Sequence, residues 1–214
     1  MKKNDLKVSN QRSTKPWRLL EKKPIFKSKW LTVNREKVSL PNGKIIKDFY
    51  TLSGEKLVCI LAVTSDQKIV LIKQYRQGAK KVLWDIPGGG VGKNESFLKA
   101  AKRELAEETD YKARKWISLG QFYPDPARSP TIKEIFLALG AIPLQKPQRI
   151  ENIFVKLTTF QQIKRMIGKN QIRELGARLA IALVSQSLNL EDNITKKKGC
   201  YSSLGHPDQL LNSF

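Results

Sequence analysis

The sequence predicts an α/β fold in which a buried sheet carries helices, preceded by a separate antiparallel strand unit. Three observations predict it. The stretch "KLVCILAVTSDQKIVLIKQYR", residues 56–76, sets two runs of Val, Ile and Leu around a polar turn, as a buried hairpin requires. "ESFLKAAKRELAEET" places apolar residues at 97, 98, 101 and 105, which gives one stripe on a helix. "KPIFKSKWLTVNREKVSL", the turn "PNG" at 41–43 and "KIIKDFYTLSG" have strand composition without a helical period, which gives the N-terminal antiparallel unit.

In chain order, residues 1–14 are polar and unpatterned and are expected to form a mobile basic arm. Residues 15–56 make the N-terminal strand unit, and residues 57–190 the main domain. Within that domain the hairpin is followed by a glycine-rich turn and the helix. "KWISLGQFYPDPARSPTIKEIFLALGAI" then gives strand, proline-broken loop, strand, and "ENIFVKLT" a further strand. "TFQQIKRMIGKNQIRELGARLAIALVSQSL" gives two helices separated near Gly168 to Asn170. Residues 191–214 have little periodicity and form a C-terminal tail.

The chain has 214 residues, enough to bury a core, and its 40 Lys and Arg stand against 19 Asp and Glu for a net charge of +21. Such a balance attracts polyanions, either nucleic acid or an anionic small substrate; a generally basic surface is the alternative, since the positive residues are scattered. The longest apolar run, Leu57 to Val63, is too short to span a membrane. Cys59 and Cys200 have neither the number nor the spacing of a disulfide framework or a zinc site, so the cytoplasm is the expected compartment.

Against this basic background, "IPGGGVGKNESFLKAAKRELAEETDY", residues 86–111, with Asp85 before it, gathers six carboxylates. On a helix Glu104 and Glu108 project together one turn apart, with Glu107 on the adjoining edge. Unpaired, they would repel one another near a helix C-terminus, so something positive has to offset them. Arg103 is placed to bridge Glu95 and Glu107, which leaves Glu104 and Glu108 as free oxygen ligands for Mg2+ or Mn2+. Gly88, Gly89 and Gly90 allow backbone to approach a metal or phosphate.

Gly89, five residues, Glu95, seven residues, then Arg103-Glu104-Leu105-Ala106-Glu107-Glu108 resembles the signature of the Nudix hydrolase family. The departure is Asp110, where the family has glycine; Asp tolerates the left-handed conformation of a helix C-cap, so a small stability cost is expected. From Trp17 to Leu190 the chain is similar to the ADP-ribose pyrophosphatase branch, through "WRLLEKKPIF", "WLTVNREKVSLPNGK", "IVLIKQYRQGAKKVLWDIPGG" and "GKNQIRELGARLAIAL". The resemblance implies an α/β/α sandwich with a mixed central sheet. It implies Mg2+-dependent hydrolysis of a nucleoside diphosphate sugar, ADP-ribose giving AMP and ribose 5-phosphate. It also implies a homodimer with swapped N-terminal segments.

Carried over by position, the resemblance implies that Trp17 and Trp30 stack on adenine, that Arg35 and Arg76 bind substrate, and that Gly88, Glu104, Glu107 and Glu108 hold metal. Flat indoles and forked guanidinium groups suit those tasks, although each Trp also fits core or interface packing. In many bacterial relatives a glutamate behind an "SPG" turn is the general base; here "DPARSPT" departs from that pattern at Thr131, which cannot do a carboxylate's proton transfer. Glu134 and Glu151 are the substitutes, and Glu151 is preferred because Glu134 has the position of an outward strand residue. Arg128, in the same loop, either contacts substrate or is a surface arginine. Two other readings stay open: action on NADH, a dinucleoside polyphosphate or an RNA 5′ end, and a Nudix-fold binding module without catalysis.

Overall fold

The computed structural model describes residues 15–147 and 153–196. The chain divides into two compact units, one of residues up to Gly54 with Asp125–Pro130, the other of Glu55–Pro124 and Thr131 onward.

In the first unit, β1 (Arg18–Lys27), β2 (Thr32–Ser39) and β3 (Ile45–Leu52) form an antiparallel sheet in the order β1-β2-β3. The Ser28 hydroxyl accepts from the Trp30 and Leu31 N–H groups to close the first turn. Asn42 closes the second by accepting from the Lys44 N–H, and Gly43 supplies the positive φ of 85° that this turn needs. Residues 125–130 join this unit through the Leu52 N–H, which donates to the Arg128 carbonyl at 2.8 Å. Every residue of β1 is exposed, including Leu19, Leu20, Ile25 and Phe26.

In the second unit, β4 (Lys56–Thr64), β5 (Lys68–Arg76), β6 (Lys81–Asp85), β7 (Tyr111–Lys112), β8 (Lys115–Phe122), β9 (Ile132–Pro143) and β10 (Phe154–Thr159) form one sheet of order β10-β5-β4-β9-β7, with β6 beside β5 and β8 beside β9. The β4 and β9 strands run parallel and the other pairs antiparallel, so the sheet is mixed. α1 (Phe97–Thr109) covers one face; α2 (Phe160–Gly168) and α3 (Leu175–Lys196) cover the other.

Strand β4 shows why its sequence is apolar without alternation. Val58, Ile60 and Ala62 point into the cluster under α1, while Cys59, Leu61 and Val63 point into the cluster under α2 and α3. A strand covered on both faces has no polar side to display.

The α1 stripe differs from the sequence pattern. Leu98 is partly exposed, and the buried side runs Ala100, Ala101, Leu105 and then Glu108 and Thr109. Small alanines let the helix lie close on the sheet, and the last buried turn is polar because it meets the glycine-rich turn described below. The two C-terminal helices are separated as the sequence predicts, with Asn170 at φ 54° between them. The 1–14 arm, Cys200 and Glu151 lie outside the described residues.

Candidate active site

The site begins where β6 ends. After Asp85 the chain turns through Ile86 and Pro87 and lies antiparallel along β4: Ile60 N–H donates to the Pro87 carbonyl at 2.8 Å, Val58 N–H to the Gly89 carbonyl at 2.9 Å, and Gly89 N–H back to the Val58 carbonyl at 3.1 Å. This approach requires glycine. A Cβ on Gly88 would overlap the Val58 carbonyl, and one on Gly89 would overlap the Glu104 carboxylate. Two glycines thus set backbone against β4 on one side and against α1 on the other.

Helix α1 starts at Ser96, whose hydroxyl accepts from the Lys99 N–H. It ends at Asp110, in the left-handed region at φ 62°, with its N–H donating to the Ala106 carbonyl at 3.0 Å. The residue that departs from the family glycine therefore does cap the helix, in the conformation that glycine would take.

Between the caps, Arg103 is the hub. Its guanidinium donates to both oxygens of Glu95 at 3.1 Å, to Glu104 at 2.7 Å, to Glu107 at 2.9 Å and to the Gly90 carbonyl at 2.8 Å. The Glu95 hydrogen bond, with those of Glu104 and Glu107, raises the Arg103 pKa against a smaller opposing effect of burial. Arg103 in turn holds the Glu95 carboxyl below its usual value. The sequence expectation that Arg103 would leave Glu104 free is corrected here. The planar fork has donors enough for three carboxylates, and Glu104 is adjacent to it. Glu108 is not free either: its side chain is buried, and Oε2 accepts from the Gly88 N–H at 2.8 Å.

Beside this junction lies a cavity of about 370 Å³, lined by Gly88 and Gly89, by Leu57, Val58 and Cys59 of β4, and by Arg76, Asp85, Lys133 and Glu174. Arg76 donates to Asp85 at 2.6 Å, and Lys133 to Glu174 at 3.0 Å. Burial raises the Asp85 pKa and Arg76 only partly opposes it. Burial is the largest influence and works against the Lys133 charge, but Glu174 together with Cys59 and Asp85 outweighs it and the ammonium pKa is raised. Burial pushes the Cys59 thiol well above its usual value, which removes it as a nucleophile.

The donor set suits a hard divalent cation, because Glu104, Glu107 and Glu108 offer carboxylate oxygen and the open position at Gly89 puts the Glu104 carboxylate against the turn that holds Glu108. Among the described residues no three acidic, histidine or cysteine side chains are already gathered as a metal-binding group. Arg103 and the Gly88 N–H hold them instead. What ties Gly88 to Glu108 is its N–H.

Of the other expected site residues, Arg76 lines the cavity. Trp17, Trp30, Arg35 and Arg128 belong to the first unit. There Trp17 packs edge-on to Phe49 with ring centres 5.5 Å apart, and Trp30 is 75% exposed beneath the Lys29 ammonium. Arg35 lies in a polar recess with Lys23, Lys37 and Lys47. Glu134 accepts from Ser118 Oγ at 2.8 Å and from Gln121 Nε2 at 2.9 Å, which makes it a clamp between β8 and β9. Thr131 is a backbone partner, its hydroxyl accepting from the Glu55 N–H at 3.1 Å.

Sequence reasoning missed Lys133 and Glu174. The available signals were a lysine in register with the inward residues 135, 137 and 139 of a strand, and an acidic residue just before an apolar helical run. Glu174 does cap α3, accepting from the Ala177 N–H at 2.7 Å.

Residues 55–178 match the family model of the NUDIX domain, more than half of the chain. The chain belongs to the Nudix family. Residues 17–52 of this Nudix protein match a second model, the nucleoside diphosphate sugar hydrolase N-terminal domain. An ADP-ribose pyrophosphatase of Bacillus subtilis (strain 168) is 31% identical over 182 residues, 84% of this chain and 96% of that protein. A methanol dehydrogenase activator of Bacillus methanolicus is 32% identical over 116 residues, 54% of this chain and 62% of the relative. The fold matches the crystal structure of an ADP compounds hydrolase with a TM-score of 0.75 at 20% identity, covering 84% of this chain and 98% of that one. The sequence expectation of a Nudix-type α/β fold with a mixed sheet is borne out, and the protein is a pyrophosphatase of that family.

Proposed function

We propose that this Nudix protein hydrolyses the diphosphate bond of ADP-ribose or a related ADP-sugar, giving AMP and a sugar phosphate, with Mg2+ as its divalent ion and Mn2+ as a substitute. The observation that carries this reading is the junction of the Gly88 and Gly89 turn with Glu104 and Glu108, opening on a cavity that holds Arg76. The two family models and the similarity to the B. subtilis pyrophosphatase along 96% of that protein's length support the substrate class.

In this reading Glu104, Glu107 and Glu108 hold the ion, with Gly88 backbone beside them. When bound, such an ion lowers the pKa of a water and offsets the diphosphate charge. Arg103 positions the carboxylates, and Glu104 and Glu107, which it holds, would be the ligands shared with a bound cation. Arg76, fixed by Asp85, presents its remaining N–H donors to phosphate oxygens. Trp17 and Trp30 supply flat area for adenine, and Arg35 and Arg128 supply charge to the same substrate. Glu151 is the proposed general base.

The proposed assembly is a homodimer that exchanges N-terminal segments. Its support is β1, a ten-residue strand exposed along its whole length with Leu19, Leu20, Ile25 and Phe26 uncovered in the single chain. No described helix is long and apolar enough to cross a membrane, and the cytoplasm is the proposed setting from the cysteine pattern. The net charge of +21 favours one second reading, an RNA 5′ end as substrate.

A panel of ADP-ribose, ADP-glucose, NADH, diadenosine polyphosphate and capped RNA, assayed with Mg2+, tests both. AMP release from ADP-ribose, lost at least about 100-fold in Glu108→Gln with circular dichroism unchanged, is expected. Turnover of RNA alone selects the second reading, and near-normal turnover by Glu108→Gln refutes the ligand assignment.

A further inference from the structure

The cavity beside the glycine turn carries two ion pairs whose charges cancel. Arg76 is paired with Asp85 at 2.6 Å and Lys133 with Glu174 at 3.0 Å. The Lys133 and Glu174 side chains are only 19% and 22% exposed, so little of either faces bulk water. The pair packs closely on Gly176, where a Cβ would lie 2.9 Å from Glu174 Oε2, 3.0 Å from Lys133 Nζ and 3.2 Å from Cys59 Sγ, so the absence of a side chain there lets the two charges meet.

We propose that Lys133 and Glu174, next to the Arg76 that faces the diphosphate, form the seat of the substrate's distal sugar and select an uncharged polyhydroxyl group there. The inference rests on the pyrophosphatase reading above and names what lies beyond the diphosphate.

An additional phosphate in this seat would lie against the Glu174 carboxylate, and a cation against the Lys133 ammonium. A nucleobase would find no aromatic side chain to stack on among the described residues that line the cavity. A hydroxyl group is different, because it donates and accepts at once. Lys133 carries three N–H donors and gives one to Glu174. Glu174 accepts from Lys133 on Oε1 and from the Ala177 N–H on Oε2, and each carboxylate oxygen has a second lone pair. Neighbouring hydroxyls of a pentose or hexose match that donor and acceptor pair. The helix cap fixes Glu174 and Glu174 fixes Lys133, so the pair is set before the sugar arrives.

The test is steady-state kinetics of the full chain with Mg2+ on two substrates of identical diphosphate chemistry: ADP-ribose, and the β-methyl ester of ADP, which has no sugar. Wild type is expected to prefer ADP-ribose in kcat/KM. Lys133→Gln and Glu174→Gln are each expected to cut that preference at least about tenfold, mainly through KM for ADP-ribose. Because the readout is a ratio within one preparation, a partly misfolded variant does not imitate the result. An unchanged ratio, or equal losses on both substrates, overturns the sugar seat while leaving the pyrophosphatase reading intact. Cleavage of neither substrate by wild type overturns both.

Discussion

Replacing Arg103 by glutamine removes the group on which three carboxylates converge. The structure gives the magnitude. The fork to Glu95 uses two bonds of 3.1 Å, the bonds to Glu104 and Glu107 are 2.7 and 2.9 Å, and one further N–H reaches the Gly90 carbonyl at 2.8 Å. Fully buried, charge-assisted bonds of this kind would be worth about 2 kcal/mol each. The guanidinium side chain is 35% exposed, however, and screened pairs contribute nearer 1 kcal/mol or less. Counting about 1 kcal/mol each for Glu104 and Glu107 and a fraction for the carbonyl gives a net loss of about 2 kcal/mol. For a chain of this size that is a fall in Tm of roughly 4–8 °C. The assay is thermal unfolding with and without Mg2+. Once released from Arg103, Glu104 and Glu107 repel Glu108, so Mg2+ should raise the Tm of Arg103→Gln by more than it raises that of wild type. A fall under about 2 °C, with Mg2+ acting equally on both proteins, would refute the hub.

Four further outcomes follow from the same geometry. Gly88→Ala should destabilise by about 3 kcal/mol in urea denaturation, because the new methyl overlaps the Val58 carbonyl. Gly90→Ala, with nothing within 4 Å of the new atom, should cost under about 0.5 kcal/mol, and equal costs would show that the contact is not decisive. Glu134→Gln should keep turnover within about threefold of wild type, since its carboxylate serves Ser118 and Gln121; a loss beyond about tenfold in kcat would make it the base after all. Arg103 depresses the folded-state pKa of Glu95 below its ordinary 4.5. Its stabilisation is thus complete above that value and lost as pH falls through the folded-state pKa. The stability gap between wild type and Glu95→Gln should therefore close as pH drops from about 6 to about 3, and a gap independent of pH contradicts the ion pair.

Strand β4 and helix α1 illustrate what could be read directly. Seven consecutive apolar residues, Leu57 to Val63, can only be covered on both faces, and the fixed spacing from Gly89 to Glu108 is a local pattern on one turn and one helix. Both are properties of neighbours in the chain. So is the Asp110 cap, because tolerance of the left-handed conformation belongs to the residue itself.

The partners of those residues were a different matter. Sequence spacing pairs Arg103 with Glu95 and Glu107 but cannot show that its fork also reaches Glu104, because that depends on how the glycine turn seats against the helix. It cannot show that Glu108 turns inward to the Gly88 N–H, 20 positions away. Least of all can it bring Lys133 to Glu174, which are separated by 41 positions and meet because the N-terminus of α3 lies over β4 and β9. The sequence by itself determined the elements, the family signature and the supply of hard oxygen ligands, since these rest on local periodicity and residue chemistry. The tertiary structure decided which carboxylate each cation holds and what charge the cavity presents, since those follow from packing between segments that no local rule connects.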